Sequence, residues 1–293
     1  MQTIEALLLQ VLLTQVPPGQ SSFSVAIDPC RADACDVATC TTPTQCKVPF
    51  YSRFYQAYVH QETPEEATER YGTIAEAAVA AVTEERCKNF DGTPVPPGDC
   101  SPNPDMKVMR GFVGALSAIF GAAINESGLR EDVQVGRGKS KKPDDAGGQG
   151  RGPSGEACLM QVHPDIAWRF VPDLSEDERQ QASKTPQSRE AVARTLLGKD
   201  SESLKRCFRT GLRMLAHAAV SCAGEDRRDA AIAKRAGRPH EPFANLEWGM
   251  FSMYGTGRTC RSFNNGKTTV RVTTARVVAD ALTNAIRADR KGT

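Results

Sequence analysis

The stretch Ile124-Asn125-Glu126-Ser127-Gly128 places a carboxylate where a long apolar segment ends. An ionised Glu is costly in such a place unless it is paired or solvated. The same setting suits a general acid. Partial burial disfavours the charged form, so a proton stays available near neutral pH. Taken by itself, Glu126 reads better as a solvated side chain in a last helical turn, since Glu at a helix end is common, and only the rest of the chain changes that balance.

Other chemistries are poorly served. Gly138-Lys139-Ser140 and Gly266-Lys267-Thr268 resemble the end of a phosphate-binding loop, but such a loop needs a further glycine five residues earlier, where Val133 and Arg261 stand. There is no Gly-x-Ser-x-Gly elbow. His60, His163, His217 and His240 lack metal-ligand spacing, and His217 sits beside an apolar helical stripe, as a core histidine with a partner would. No cysteine is singled out as an activated thiol.

Two further stretches change the weight given to Glu126. One is Ser154-Gly155-Glu156-Ala157-Cys158-Leu159-Met160-Gln161-Val162-His163-Pro164, and the other is Trp248-Gly249-Met250-Phe251-Ser252-Met253-Tyr254-Gly255-Thr256-Gly257. In this order the three resemble the motifs of the lytic transglycosylase and goose-type lysozyme superfamily. Those are a Glu-Ser closing a buried helix, a Gly-Leu-Met-Gln stretch, and an Ala-Tyr-Asn-type stretch near the domain end. The resemblance spans roughly residues 105–260. Cys158 stands in place of the usual glycine, Gly255 in place of the asparagine, and the interval from 127 to 154 is longer than usual.

The resemblance implies a mainly α, lysozyme-like helical domain that cleaves the β-1,4 bond between N-acetylmuramic acid and N-acetylglucosamine in peptidoglycan. Glu126 would be the catalytic acid, with Ser127, Met160, Gln161 and Tyr254 contacting substrate. It implies no cofactor and no metal. The partner would be peptidoglycan glycan strands, acted on by a monomer. In the lyase variant the sugar's own N-acetyl group assists, and Glu126 then acts as a base to close a 1,6-anhydro ring. A hydrolase would need a second carboxylate, for which chain position offers Asp132, Asp144 and Asp145. A glycan-binding module without catalysis, or a disulfide-rich structural protein, are the remaining alternatives.

The elements that must position these residues read as helices. Thr63-Pro64-Glu65-Glu66 is a capping box with proline at the first helical position. Tyr71, Ile74, Ala75, Ala78 and Val82 then line one helical face. Residues 105–125 predict a helix that is apolar all round from Gly111 to Ile124, hence buried on every side. Ser175-Glu176-Asp177-Glu178 opens another. Residues 201–222 place Leu204, Phe208, Leu212, Leu215, Ala219 and Cys222 on one stripe, and 245–253 and 272–289 are helical in pattern. Strand signal is confined to the β-branched run Thr268 to Thr274. Residues 136–155, rich in Gly and Lys, have the composition of a long loop.

Composition bounds the setting. With Lys+Arg 37 against Asp+Glu 35, the formal net charge is +2, which argues against a nucleic-acid partner. No apolar run approaches the ~18 residues of a spanning helix, so no integral membrane segment is expected. Ten cysteines point to disulfides and to a secreted or periplasmic setting. Cys30, Cys35, Cys40 and Cys46 suggest a stapled arm over residues 27–62, and Cys87 and Cys100 bracket a Pro/Gly turn; the pairing stays open. Residues 1–26 read as a signal peptide or as a first helix packed on the body, and residues 63–293 as the helical domain.

Overall fold

The computed structural model describes residues 2–13, 64–85, 111–129, 131–136, 156–239, 249–251, 253–254, 260 and 266–291. Among these the chain is mainly helical. The helices are α1 (Ile4–Leu13), α2 (Pro64–Glu85), α3 (Gly111–Ser127), α4 (Glu131–Gln134), α5 (Pro164–Ala167), α6 (Glu176–Lys184), α7 (Pro186–Arg194), α8 (Ser201–Arg235) and α9 (Gly266–Lys291). Extended pairing among the described residues is limited to one antiparallel bridge, Ala157 with Val162. The cysteine arm, Cys87, Cys100 and the loop at 137–155 lie outside the described residues.

Helix α3 is the axis of the core. Every residue from Gly114 to Ile124 is buried, as a helix apolar on all faces requires. It packs most extensively on α9 and also meets α2 and α8, while α2 pairs with α8 and α1 lies on α2 and α9. Leu7, Leu8, Val11 and Leu12 of α1 are buried in those contacts. The α3–α9 approach is set by a missing side chain. A Cβ at Gly121 would stand 2.7 Å from the Ala275 Cβ and 2.8 Å from the Arg271 carbonyl oxygen. One turn on, Asn125 donates to the Thr274 hydroxyl at 3.0 Å, fixing the register of the pair.

The α2–α8 seam also contains a buried polar network. Glu85 accepts from Arg209 Nε at 2.6 Å and from Arg213 Nε at 2.8 Å, and Arg209 also reaches Asp173 at 2.6 Å. Buried charges survive only when paired and hydrogen-bonded in this way. Helix ends follow local rules. Ser175 and Glu178 form a reciprocal capping box at α6, Thr185 caps α7 ahead of Pro186, and Asp200 caps α8.

Two helices run further than the hydrophobic pattern predicts. α8 continues past Cys222 to Arg235 through EDRRDAAIAKR, a segment with little apolar stripe but strong helix formers and charges of both signs. α9 begins at Gly266, so the β-branched run Thr268 to Thr274 is helical: burial of Val272, Thr274 and Ala275 against α3 outweighs its propensity for strand.

Candidate active site

Glu126 lies in the last turn of α3 with its side chain 16% exposed, and it accepts an ion-paired hydrogen bond from Nη2 of Arg271. Arg271 projects from α9, directly across the Gly121–Ala275 approach. Its side chain is 5% exposed, and its Nη1 donates to the carbonyl of Phe251 at 3.1 Å. One guanidinium therefore joins the end of α3 to the helical residues 249–251, close in sequence to Tyr254. The geometry places the Glu126 carboxylate at a half-closed site with a cation behind it.

Tyr254 joins the same site to the third segment. Its hydroxyl donates to the main-chain carbonyl of Met160. Burial pushes this phenol well above its ordinary range, and the charge of Glu126 pushes it further, as does Glu156; Arg271 opposes them. Tyr254 is thus a protonated hydrogen-bond donor at any physiological pH.

Met160 and Gln161 sit on a tight loop, 157–162, closed by reciprocal bonds of 3.0 Å between Ala157 and Val162. Cys158 and Gln161 both adopt the left-handed backbone, at φ 57 and φ 48. Such conformations persist in non-glycine residues only when the surroundings over-determine them. Met160 is fully buried against Gly211 of α8, where a Cβ would come within 2.3 Å of the Met160 Cε; its part in the site is its carbonyl. Gln161 Nε2 donates to the Cys158 carbonyl at 3.0 Å, while its Oε1 is buried with no donor.

Ser127 is fully buried and does not reach the site with its hydroxyl. It donates to the Ala123 carbonyl at 2.8 Å and accepts from the Leu129 N–H at 3.1 Å, closing the helix end and the turn that follows. The structure thus brings together Glu126, Tyr254 and the Met160–Gln161 loop, with Ser127 supporting from beneath. Of the aspartates considered for a second carboxylate, Asp144, Asp145 and the Asp132 side chain lie outside the described residues.

Two contributors escaped the sequence reading. Arg271 shares a helical stripe with Ala275, Val278 and Leu282, all buried, and a lone arginine on an apolar stripe was the available signal. Gln134 of α4, also buried, accepts from the Leu159 N–H at 3.0 Å and donates to the carbonyls of Leu196 and Gly198 at 3.0 and 2.7 Å, pinning the 157–162 loop. Nothing local in the sequence marks it. His217 lies half-buried against Phe170, with ring centroids 5.3 Å apart and away from this cluster's hydrogen bonds.

Among the described residues no group of His, Cys, Asp and Glu is arranged to hold a metal ion, and no helix is long and apolar enough to cross a membrane. A surface depression of about 440 Å³ lined by Thr3, Glu5, Glu76 and Glu84 lies at the α1–α2 contact and shares no residue with the Glu126 site. No protein-family model matches the chain, and no curated protein or solved structure matches it either.

Proposed function

We infer that the chain is a peptidoglycan-cleaving enzyme with a lysozyme-like helical domain, a lytic transglycosylase that uses Glu126 as acid and then as base. The observation that carries the reading is the convergence of three segments far apart in sequence. Glu126, the Met160 carbonyl and Tyr254 are connected through Arg271, Phe251 and the Tyr254 hydroxyl. Accidental motif matches would have no reason to be linked by one short series of hydrogen bonds that starts at Glu126.

The chemistry follows from these groups. Glycosidic cleavage needs a proton on the leaving oxygen and stabilisation of an oxocarbenium-like centre. To act as acid, Glu126 takes a proton from solvent as an entering glycan displaces the Arg271 contact, and passes that proton to the leaving oxygen. On proton transfer the carboxylate returns to Arg271, poised as the base that removes the C6 hydroxyl proton. Tyr254 keeps its proton and positions the Met160–Gln161 loop along the sugar.

Hydrolysis is the second reading, and one observation favours it. Glu156 immediately precedes the 157–162 loop whose Met160 carbonyl accepts from Tyr254, which makes it a candidate second carboxylate. The cysteine content and the two disulfides described below fit action in an oxidising, exported setting.

Digestion of purified peptidoglycan by the oxidised chain, with products weighed by mass spectrometry, tests the reading. Anhydro-muropeptides are expected from the wild type, and Glu126→Gln should lower their release by at least ~10²-fold, the usual worth of a positioned acid–base group. Reducing-end products that depend on Glu156 would move the enzyme to the hydrolases. Walls left intact by the wild type but cut by a control enzyme would overturn catalysis altogether.

A further inference from the structure

Two disulfides are present among the described residues, Cys158–Cys207 and Cys222–Cys260, and both are anchored on α8. Cys207 and Cys222 lie roughly 22 Å apart along the axis at about 1.5 Å per residue. One bridge holds the loop carrying Met160 and Gln161; the other holds residue 260, just beyond Tyr254. Gly249 fits closely at the second bridge, where a Cβ would stand 3.4 Å from the Cys222 Sγ. Helix α8 is thus a common post for the two segments that face Glu126.

The bridge at Cys158 does something a packing disulfide need not do. Cys158 holds φ at 57, a backbone region that glycine enters freely and that an L side chain avoids. Gln161, three residues on, is held at φ 48. Besides the bridge, the loop is retained by burial of Leu159, Met160 and Val162 in the core and by the Ala157–Val162 pair, the Gln134–Leu159 bond and the Tyr254–Met160 bond. The α3–α9 and α2–α8 seams are held by apolar packing and by the Glu85 network, and neither disulfide among the described residues joins the two helices of either seam.

We propose that the Cys158–Cys207 bridge makes the Glu126 site conditional on oxidation: it holds covalently a loop conformation that glycine would hold without help, so the helical body folds in either redox state while the site is completed only after the bridge closes. This rests on the site reading given above. Both sulfurs are fully buried in the folded chain, so the decision falls during folding and is sealed afterwards. The closing step needs a small disulfide as oxidant. One cysteine thiolate attacks it and displaces a thiolate, the second cysteine thiolate displaces the other, and the two cysteine protons pass to those leaving groups. The protein gains one S–S bond and gives up two electrons, and the small disulfide leaves as two thiols.

The test compares the full-length wild type, Cys158→Ser/Cys207→Ser and Cys158→Gly/Cys207→Ser. Each is refolded from the reduced state in dithiothreitol or in a mixture of reduced and oxidised glutathione. Hydrogen exchange of peptides covering 156–163 is read beside peptides from α2 and α3, with far-UV circular dichroism for helicity. The glycine variant separates this bridge from the eight cysteines elsewhere in the chain. The serine variant, in either buffer, and the wild type refolded in dithiothreitol are expected to exchange at least ~10-fold faster over 156–163 with helicity retained. The glycine variant is expected to stay within ~3-fold of oxidised wild type in both buffers.

Wild-type protection in the serine variant, or a glycine variant as open as the serine one, would overturn the proposal. So would general loss of helicity when the bridge alone is removed. Peptidoglycan digestion on the same samples keeps the two readings apart. If the oxidised wild type releases nothing, the enzymatic reading fails while exchange still decides the role of the bridge.

Discussion

Arg271 sets a guanidinium, almost wholly buried, between a carboxylate and a main-chain carbonyl, and its removal leaves Glu126 without its cation. Breaking a buried pair from one side costs about 3–5 kcal/mol, and the partial exposure of Glu126 puts Arg271→Met at the lower end of that range. Urea unfolding should show the loss. Because the cost comes from the stranded charge, Glu126→Gln in the same chain should return about 1–3 kcal/mol of it as coupling energy. Additive single effects would mean that Arg271 stabilises through Phe251 alone. Glu126 could be singled out in sequence because a polar residue closing an apolar helix is a recognisable local setting, whereas Tyr254 was singled out only through the resemblance of the stretch 248–257. Arg271 and Gln134 were not, because their partners lie 145 and 25 residues away in the chain, and neither residue type by itself suggests a site.

At the scale of elements, the α3–α9 seam decides whether Glu126 and Arg271 can meet. Gly121→Val puts atoms where the Ala275 Cβ and the Arg271 carbonyl already are, so the helices must separate. Overpacking of this kind costs about 1–3 kcal/mol and moves Arg271 away from Glu126. Gly72, in the interior of α2, has nothing within 4 Å of an added Cβ, so Gly72→Ala should stabilise by roughly 0.5–1 kcal/mol through helix propensity. Thermal unfolding followed by circular dichroism should move the two variants in opposite directions. Equal losses would mean that the seam is not where the constraint lies. The apolar periodicity made α2, α3 and the first half of α8 readable, since burial and pattern agree there. The second half of α8 carries no such pattern, and the start of α9 is a β-branched run whose helical state is imposed by packing on α3. Tertiary context decided both.

For the molecule as a whole, acid is the condition that should find its weakest joints. His217 is held below its ordinary value by burial first and by the charge of Arg169 second. A depressed histidine lends stability that is complete above its unfolded value near 6.5 and is lost as pH falls through the lower folded value. Asp173 is lowered as well: burial opposes the shift, and the Arg209 hydrogen bond and charge overcome it. Its contribution is present above about pH 4 and disappears as pH drops through its folded value. Asp200, held low by the Ser203 backbone N–H and hydroxyl at the α8 N-terminus, has the same sign and window. The urea midpoint should therefore fall in two stages, first below about pH 6.5 and again below about pH 4. His217→Gln should remove the first stage and leave the second, while Asp173→Asn should shrink the second to the part that Asp200 contributes and leave the first. A single acid transition unaffected by either substitution would place the pH-sensitive groups elsewhere. The second stage bears on the site too, because Asp173 and Arg209 belong to the network that holds α8, and α8 carries both bridges to the loops around Glu126.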